Sequence, residues 1–154
     1  SSAASDVYKR QCLVSVAGAS MGGMTALGIM TRFPEVRSVA CLMGSGYFTT
    51  LSRTLFPPLD VTQPHEETDF EVLIAPLAQW DATTHLPQLA NRPLLLWHGE
   101  DDDVVPAAET VRLQQALVRE SLDSQLTFLT EPGVKHRITP TALEATVAFF
   151  TRSL

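Results

Sequence analysis

The sequence predicts an α/β fold: a parallel sheet of about four strands, helices on its faces, and a helical insertion after the second strand. Three observations carry that expectation. Four short apolar runs, at residues 12–17, 38–43, 93–97 and 126–129, are almost unbroken, as strands covered on both faces must be. Segments with helical spacing separate them, so each strand starts again from the same side and runs parallel to the last. The first run also gives way within a few residues to a helix-like stretch, through Gly18-Ala19-Ser20-Met21-Gly22, a strand–turn–helix junction.

The first eleven residues stand apart from this pattern. Ser1 to Ser5 is low in complexity and has no apolar centre of a secretion signal. Ser5-Asp6-Val7-Tyr8-Lys9-Arg10-Gln11 resembles translated adapter sequence at the broken end of an assembled reading frame. The expectation is a non-native or disordered tail at 1–11, with the natural N-terminus missing, so the lack of a targeting signal carries no information. The other reading is an ordinary polar tail. Residues 12–154 form one domain with enough chain for a core.

The first strand, Cys12 to Ala17, leads through the junction into a helix that reaches Arg32 and stops before Pro34. The second strand, Ser38 to Met43, ends at Gly44-Ser45-Gly46. Residues 47–90 then break the alternation and are too long for a simple connection. Phe70, Leu73, Ile74, Leu77 and Trp80 follow helical spacing, with a kink expected at Pro76. This stretch reads as a small cap-like insertion, or else as an amphipathic crossover. Alternation resumes with the strand Pro93 to Trp97, a helix from Pro106 or Ala107 with Leu113, Ala116 and Leu117 inward, and the strand Leu126 to Leu129. Thr139 caps the last helix, Pro140 opens it, and Leu143, Val147 and Phe150 form its expected buried stripe.

Composition excludes several function classes. Eleven Lys and Arg against seventeen Asp and Glu give a net charge of −6, and no basic run exists, so no nucleic-acid partner is expected. No apolar run approaches spanning length, so no membrane partner is expected either. Cys12 and Cys41 lie inside apolar runs and read as small buried hydrophobes in a reducing, cytoplasmic compartment. His65, His85, His98 and His136 make no ligand-spaced cluster, so a metal site has no support. Oligomeric state leaves no mark on the sequence.

Three polar features fall at the C-terminal ends of strands, where open parallel sheets collect their active groups. Ser20 sits in the Gly-x-Ser-x-Gly junction; small residues there also serve simple close packing. His98-Gly99-Glu100-Asp101-Asp102-Asp103-Val104-Val105-Pro106 follows the third strand; an acidic turn there can be mere solvated surface. Gly133-Val134-Lys135-His136 follows the fourth; His136 can equally be a lone loop histidine. The order serine, acid, histidine, each after a different strand, is that of the α/β-hydrolase nucleophile elbow and its partners.

The acidic turn resembles the H-G-x-x-D-x-x-V-P pattern of that superfamily, and by its register Asp102 is the acid, ahead of Asp103 and then Asp101. His98 is then structural. Residues 17–28, 43–58, 92–106, 113–116 and 133–140 resemble the small bacterial carboxylesterases of the YjfP type. The resemblance implies the C-terminal part of an α/β-hydrolase fold that hydrolyses small-molecule, short-chain carboxylic esters without a cofactor. It implies Ser20 as nucleophile, His136 as base, Asp102 as its orienting acid and the Met21 amide as one oxyanion donor. Tyr47, Phe48, Phe70 and Trp80 would shape an acyl pocket, or else belong to the core. A peptidase or thioesterase on the same groups, and a non-catalytic fragment or binding module, are the alternatives. In the family a loop before the elbow strand supplies the second oxyanion amide. No stretch here matches that loop, so the 154 residues alone are expected to be inactive and poorly soluble, with residues 12–17 at an exposed edge.

Overall fold

Residues 13–55 and 71–153 are described by the computed structural model; the 1–11 tail, Cys12 and Phe70 lie outside them. Four strands form one parallel sheet in chain order: β1 (Val14–Ala19), β2 (Val36–Leu42), β3 (Leu94–Gly99) and β4 (Leu126–Glu131). The strands run past the limits expected from apolar runs. Gly18-Ala19 belong to β1 and His98-Gly99 to β3, because the backbone ladder continues where apolar side chains stop. Ala19 pairs with Leu42, Leu42 with Trp97, and Gly99 with Glu131, so the strands' C-terminal ends share one edge.

Side-chain alternation sorts the sheet into two faces. Val39, Cys41, Leu94 and Leu96 join Ala26, Leu27 and Met30 of helix α1 (Met21–Arg32) and Leu113 and Leu117 of a later helix, Ala107–Arg119. Ala40, Leu42, Leu95 and Trp97 join Ala142 and Phe149 of the last helix, Pro140–Ser153. β3 is buried along its whole length. Each of its three leucines contributes about 2 kcal/mol by leaving water. Cys41 is one of these core residues, and burial pushes its thiol up to about 12. Among the described residues β1 has a single strand neighbour, and Leu13 and Val14 are exposed while Val16 packs on the core.

Between β2 and β3 the chain forms helix α2 (Phe48–Leu55), a helical stretch at 71–74, two 3₁₀ turns (Ala75–Trp80 and Ala82–Thr84) and the one-turn helix α3 (Leu86–Leu89). The helical spacing expected over 70–80 changes at Ala75, where the chain tightens to 3₁₀. Pro76 lies in the first turn of that segment, at the change from α to 3₁₀ winding. Ile74 is buried and Leu73 is exposed as a result. The segment is tied down by Asp81, a buried carboxylate that accepts from the backbone N–H (3.0 Å) and the hydroxyl of Thr49 in the first turn of α2. Trp80 lies against Gly28 of α1, with the Arg32 guanidinium over its ring.

The helices after β3 and β4 are α4 (Ala107–Arg119) and α5 (Pro140–Ser153). α4 buries Leu113, Ala116 and Leu117 as expected. The expected stripe of α5 is displaced by one residue. Ala142, Thr146 and Phe149 are buried, whereas Leu143 and Val147 are 58% and 60% exposed and Phe150 is only half-buried. The cap decides this. Thr139 accepts the Ala142 N–H at 3.0 Å and donates to Glu131 at the end of β4, which fixes how the helix is turned about its axis. Ala142 permits close approach to the sheet, and the Thr146 hydroxyl is satisfied by the Ala142 carbonyl.

Arg92, just before β3, gathers the carbonyl ends of two helices. Its guanidinium donates to Met30, Phe33 and Val36 at the end of α1 and start of β2, and to Gln88 of α3. Burial lowers its pKa from the ordinary arginine value. Arg92→Met keeps the aliphatic stem and leaves those carbonyls without their donor. It should lower stability by about 2–3 kcal/mol, read by urea denaturation.

Candidate active site

Ser20 stands between β1 and α1 with φ 56° and ψ −122°, a backbone conformation that costs a non-glycine residue on the order of 1–3 kcal/mol. The surroundings hold it there. Its N–H donates to Leu42 O of β2 at 2.9 Å, and its own carbonyl accepts from Gly23 and Met24. A helix start leaves its first amides unpaired. With Gly23 and Met24 so engaged, the Met21 and Gly22 amides have no backbone acceptor among the described residues.

The glycines of the junction do different work. A Cβ on Gly18 would lie 2.0 Å from the Gly22 carbonyl oxygen, so strand and helix touch through bare backbone there. A Cβ on Gly22 would meet nothing within 4 Å. Gly23, outside the pentapeptide, is needed instead: its Cβ would lie 2.9 Å from Cys41 Sγ. Gly18→Ala should therefore cost about 3 kcal/mol of stability, while Gly22→Ala stays within about 1 kcal/mol of the natural protein. Equal effects in chemical denaturation would contradict this packing.

Asp102 and His136 arrive from the ends of β3 and β4. Their loops interlock: Asp101 N–H donates to Val134 O, Glu100 N–H donates to Glu131 O, and Val134 is buried in the core. Gly99 makes the contact possible, since a Cβ there would lie 2.4 Å from Val134 O. The three side chains of interest then form one chain of hydrogen bonds. His136 Nε2 is 2.9 Å from Ser20 Oγ, and His136 Nδ1 is 2.8 Å from Asp102 Oδ2. A carboxylate only accepts, so Nδ1 donates to it and Nε2 is the face that takes the Ser20 hydroxyl proton.

The Asp102 side chain has no exposed surface. Burial by itself would raise its pKa. The His136 bond and two backbone N–H bonds to Oδ1, from Val104 and Val105 at 2.9 Å each, outweigh that and hold it below the usual carboxylate range. Asp103 is 61% exposed and pairs with Lys135 at 3.8 Å; Asp101 is also exposed.

His98, which the sequence places in the turn as a structural residue, also reaches the acid. Its Nε2 lies 3.1 Å from Asp102 Oδ2 and 2.7 Å from Val105 O. The motif made His98 visible, but no spacing rule revealed that contact. Of the four aromatics, Phe48 and Trp80 line a cavity of about 250 Å³ with Met24, Ile29 and Leu77. Tyr47 packs on the core beneath the Arg112 guanidinium, and Phe70 lies outside the described residues. Among the described residues no three His, Cys, Asp or Glu side chains gather as metal ligands, and no helix is long and apolar enough to cross a membrane.

Residues 3–154 match the model of the prolyl oligopeptidase family. The chain is 59% identical over 141 residues to esterase YjfP of Escherichia coli (strain K12), covering 92% of this chain and 57% of that protein. It therefore spans a little over half the length of that relative. Among solved structures, TT1662 of Thermus thermophilus superposes with a TM-score of 0.67 at 25% identity, over 90% of this chain and 53% of that one. A puromycin-hydrolysing peptidase of Mycobacterium tuberculosis superposes with a TM-score of 0.70 at 22% identity, over 91% and 22%. At that identity the second likeness concerns the fold alone. The fold observed is that of part of an α/β-hydrolase, a four-stranded parallel sheet with flanking helices, as the sequence predicted.

Proposed function

The chain belongs to the prolyl oligopeptidase family, and from that premise we propose that it carries the catalytic centre of a serine esterase acting on short-chain carboxylic esters. The observation that supports this best is the unbroken run Ser20 Oγ–His136 Nε2 and His136 Nδ1–Asp102 Oδ2, on a serine held at positive φ. Ser20 attacks the ester carbonyl as His136 takes its proton. The Met21 amide stabilises the oxyanion, and collapse of the tetrahedral adduct expels the alcohol, which receives that proton. Water, deprotonated by His136, then attacks the acyl-Ser20 ester, and its collapse frees the acid and restores the serine. Asp102 orients the imidazole and stabilises its cation throughout. No cofactor enters these steps.

The esterase reading draws on the likeness to YjfP. An acyl group would lodge in the apolar cavity between α1 and the insertion, where Met24 is one helical turn from Ser20. Cys41, a buried free thiol, fits the reducing, cytoplasmic setting that belongs to the same proposal. The family name favours one second reading, a peptidase using the same groups. A panel of p-nitrophenyl esters, acyl-CoA thioesters and peptide amides separates them. In a chain that also carries the second oxyanion donor, turnover confined to short esters is expected; preferential cleavage of amides or thioesters would replace the esterase reading.

A further inference from the structure

Asp102 must be held in two senses. The Val104 and Val105 amides on Oδ1 fix the carboxylate within its own turn, but they are local bonds and move with the turn. Something outside the turn has to fix its place relative to β4 and His136. We propose that His98 is a positioning residue, tying the turn to the sheet through both the Asp102 carboxylate and the Val105 carbonyl so that Oδ2 meets His136; this rests on the triad reading above.

His98 is suited to that role by where it stands. It is the last residue but one of β3 and is completely buried. Val105 O can only accept, so His98 Nε2 carries the proton and shares it between that carbonyl and Asp102 Oδ2. Burial lowers the pKa of the ring, against the opposing pull of the Val105 carbonyl and Asp102. Its Nδ1 is hydrogen-bonded to the Thr110 hydroxyl of α4 at 2.6 Å, and that hydroxyl also reaches the Gly44 carbonyl at 3.4 Å. The imidazole is thus fixed by β3 at its root and by α4 at its far side, and it presents one N–H to the turn. The other ties of this turn include the backbone bonds from Glu100 to Glu131, from Asp101 to Val134 and from Asp102 to Gly99, the Thr130–Glu100 and Lys135–Asp103 pairs, and the packing of Val105 on Met24 and Leu51. None of these touches the Asp102 carboxylate. Asp102 Oδ2 is consequently shared by two imidazoles, one rigid and buried, the other partly open and facing Ser20.

The test compares the full chain, carried on a solubility tag, as wild type, His98→Leu, His98→Gln and Thr110→Val. Leucine fills much of the volume and donates nothing; glutamine can place an amide N–H where Nε2–H lies. Two quantities are read per folded molecule: the rate at which a fluorophosphonate labels Ser20, and the low-field ¹H resonance of the His136 Nδ1–H bonded to Asp102. His98→Leu should slow labelling roughly 10- to 100-fold and displace or broaden the resonance, since small displacements of reacting groups cost that much. His98→Gln should stay within about tenfold of wild type and keep the resonance. Wild-type labelling and an unchanged resonance in His98→Leu would make His98 a packing residue and overturn the proposal. So would a His98→Gln protein that unfolds like wild type yet labels as slowly as His98→Leu. Should His98→Leu fail to fold, Thr110→Val decides: it frees the far side of the ring and should label several-fold slower, and a wild-type rate overturns the proposal. Absence of Ser20 labelling in the wild type would count against the triad reading instead, while the resonance still reports on His98.

Discussion

In a chain that also carries the second oxyanion donor, Ser20→Ala should abolish ester hydrolysis, and His136→Ala should come close to it. Each loss is expected to be on the order of 10⁴-fold or more, because nucleophile and base act as one unit and either is of little use alone. The geometry gives a reason for each half. Ser20 lies in the bend between β1 and α1, with its hydroxyl 2.9 Å from His136 Nε2 and next to the Met21 amide, which has no backbone acceptor among the described residues. Alanine keeps the bend and removes the attacking oxygen. His136 is held by the 133–136 loop, and no other imidazole lies within hydrogen-bond reach of Ser20 among the described residues. Hydrolysis of a short p-nitrophenyl ester and labelling by a fluorophosphonate provide the measurement. Undiminished turnover in Ser20→Ala would remove the serine-esterase reading altogether.

Asp102→Asn is expected to lose roughly 10⁴-fold in turnover, while Asp101→Asn and Asp103→Asn stay within about tenfold. The asymmetry follows from hydrogen-bond polarity. The Val104 and Val105 amides require an acceptor at the Oδ1 position, so the asparagine amide must turn its NH₂ toward His136 and His98. His136 Nδ1 would then have to accept, which moves its proton to Nε2, the face that should take the proton of Ser20. The new NH₂ also confronts the His98 N–H, donor against donor. Asp101 and Asp103 have no comparable position: both are exposed, and Asp103 pairs with Lys135 at the surface. The decisive comparison is the three kcat values measured side by side. If Asp103→Asn proved the crippling change, the assignment of the acid would shift by one residue.

Much of the fold was legible because its signals are local. The strands of a sheet covered on both faces cannot hide: Leu94 to Trp97 is apolar throughout because it is buried throughout. The cap at Thr139 was legible for the same reason, since a threonine before a proline satisfies the first turn of a helix wherever that helix lies. Other features were not local. The Leu143, Val147, Phe150 stripe has good helical spacing, yet the helix is turned so that Ala142, Thr146 and Phe149 face the sheet. Periodicity states that a helix has a preferred face; the Thr139–Glu131 bond, between residues eight apart, determines which one.

The sequence by itself determined the chemical inventory and its order: a serine in a strand–helix bend, an acidic turn, a histidine loop, each after its own strand of a parallel sheet. Those are consequences of composition and spacing along the chain, and strand alternation is enough to bring the three to one edge. Only the tertiary structure decided how they meet. The motif register singles out Asp102, but how its carboxylate is held, by the Val104 and Val105 amides and beside the His98 ring, is visible only in the structure. The His136 loop lies where it does because Gly99 has no Cβ to hold Val134 away. Gly23, rather than Gly22, allows α1 to lie against Cys41 of β2. These are distances of a few ångströms between residues far apart in the chain. Directional bonds and steric contact set them, and neither is encoded in the identity of any one residue.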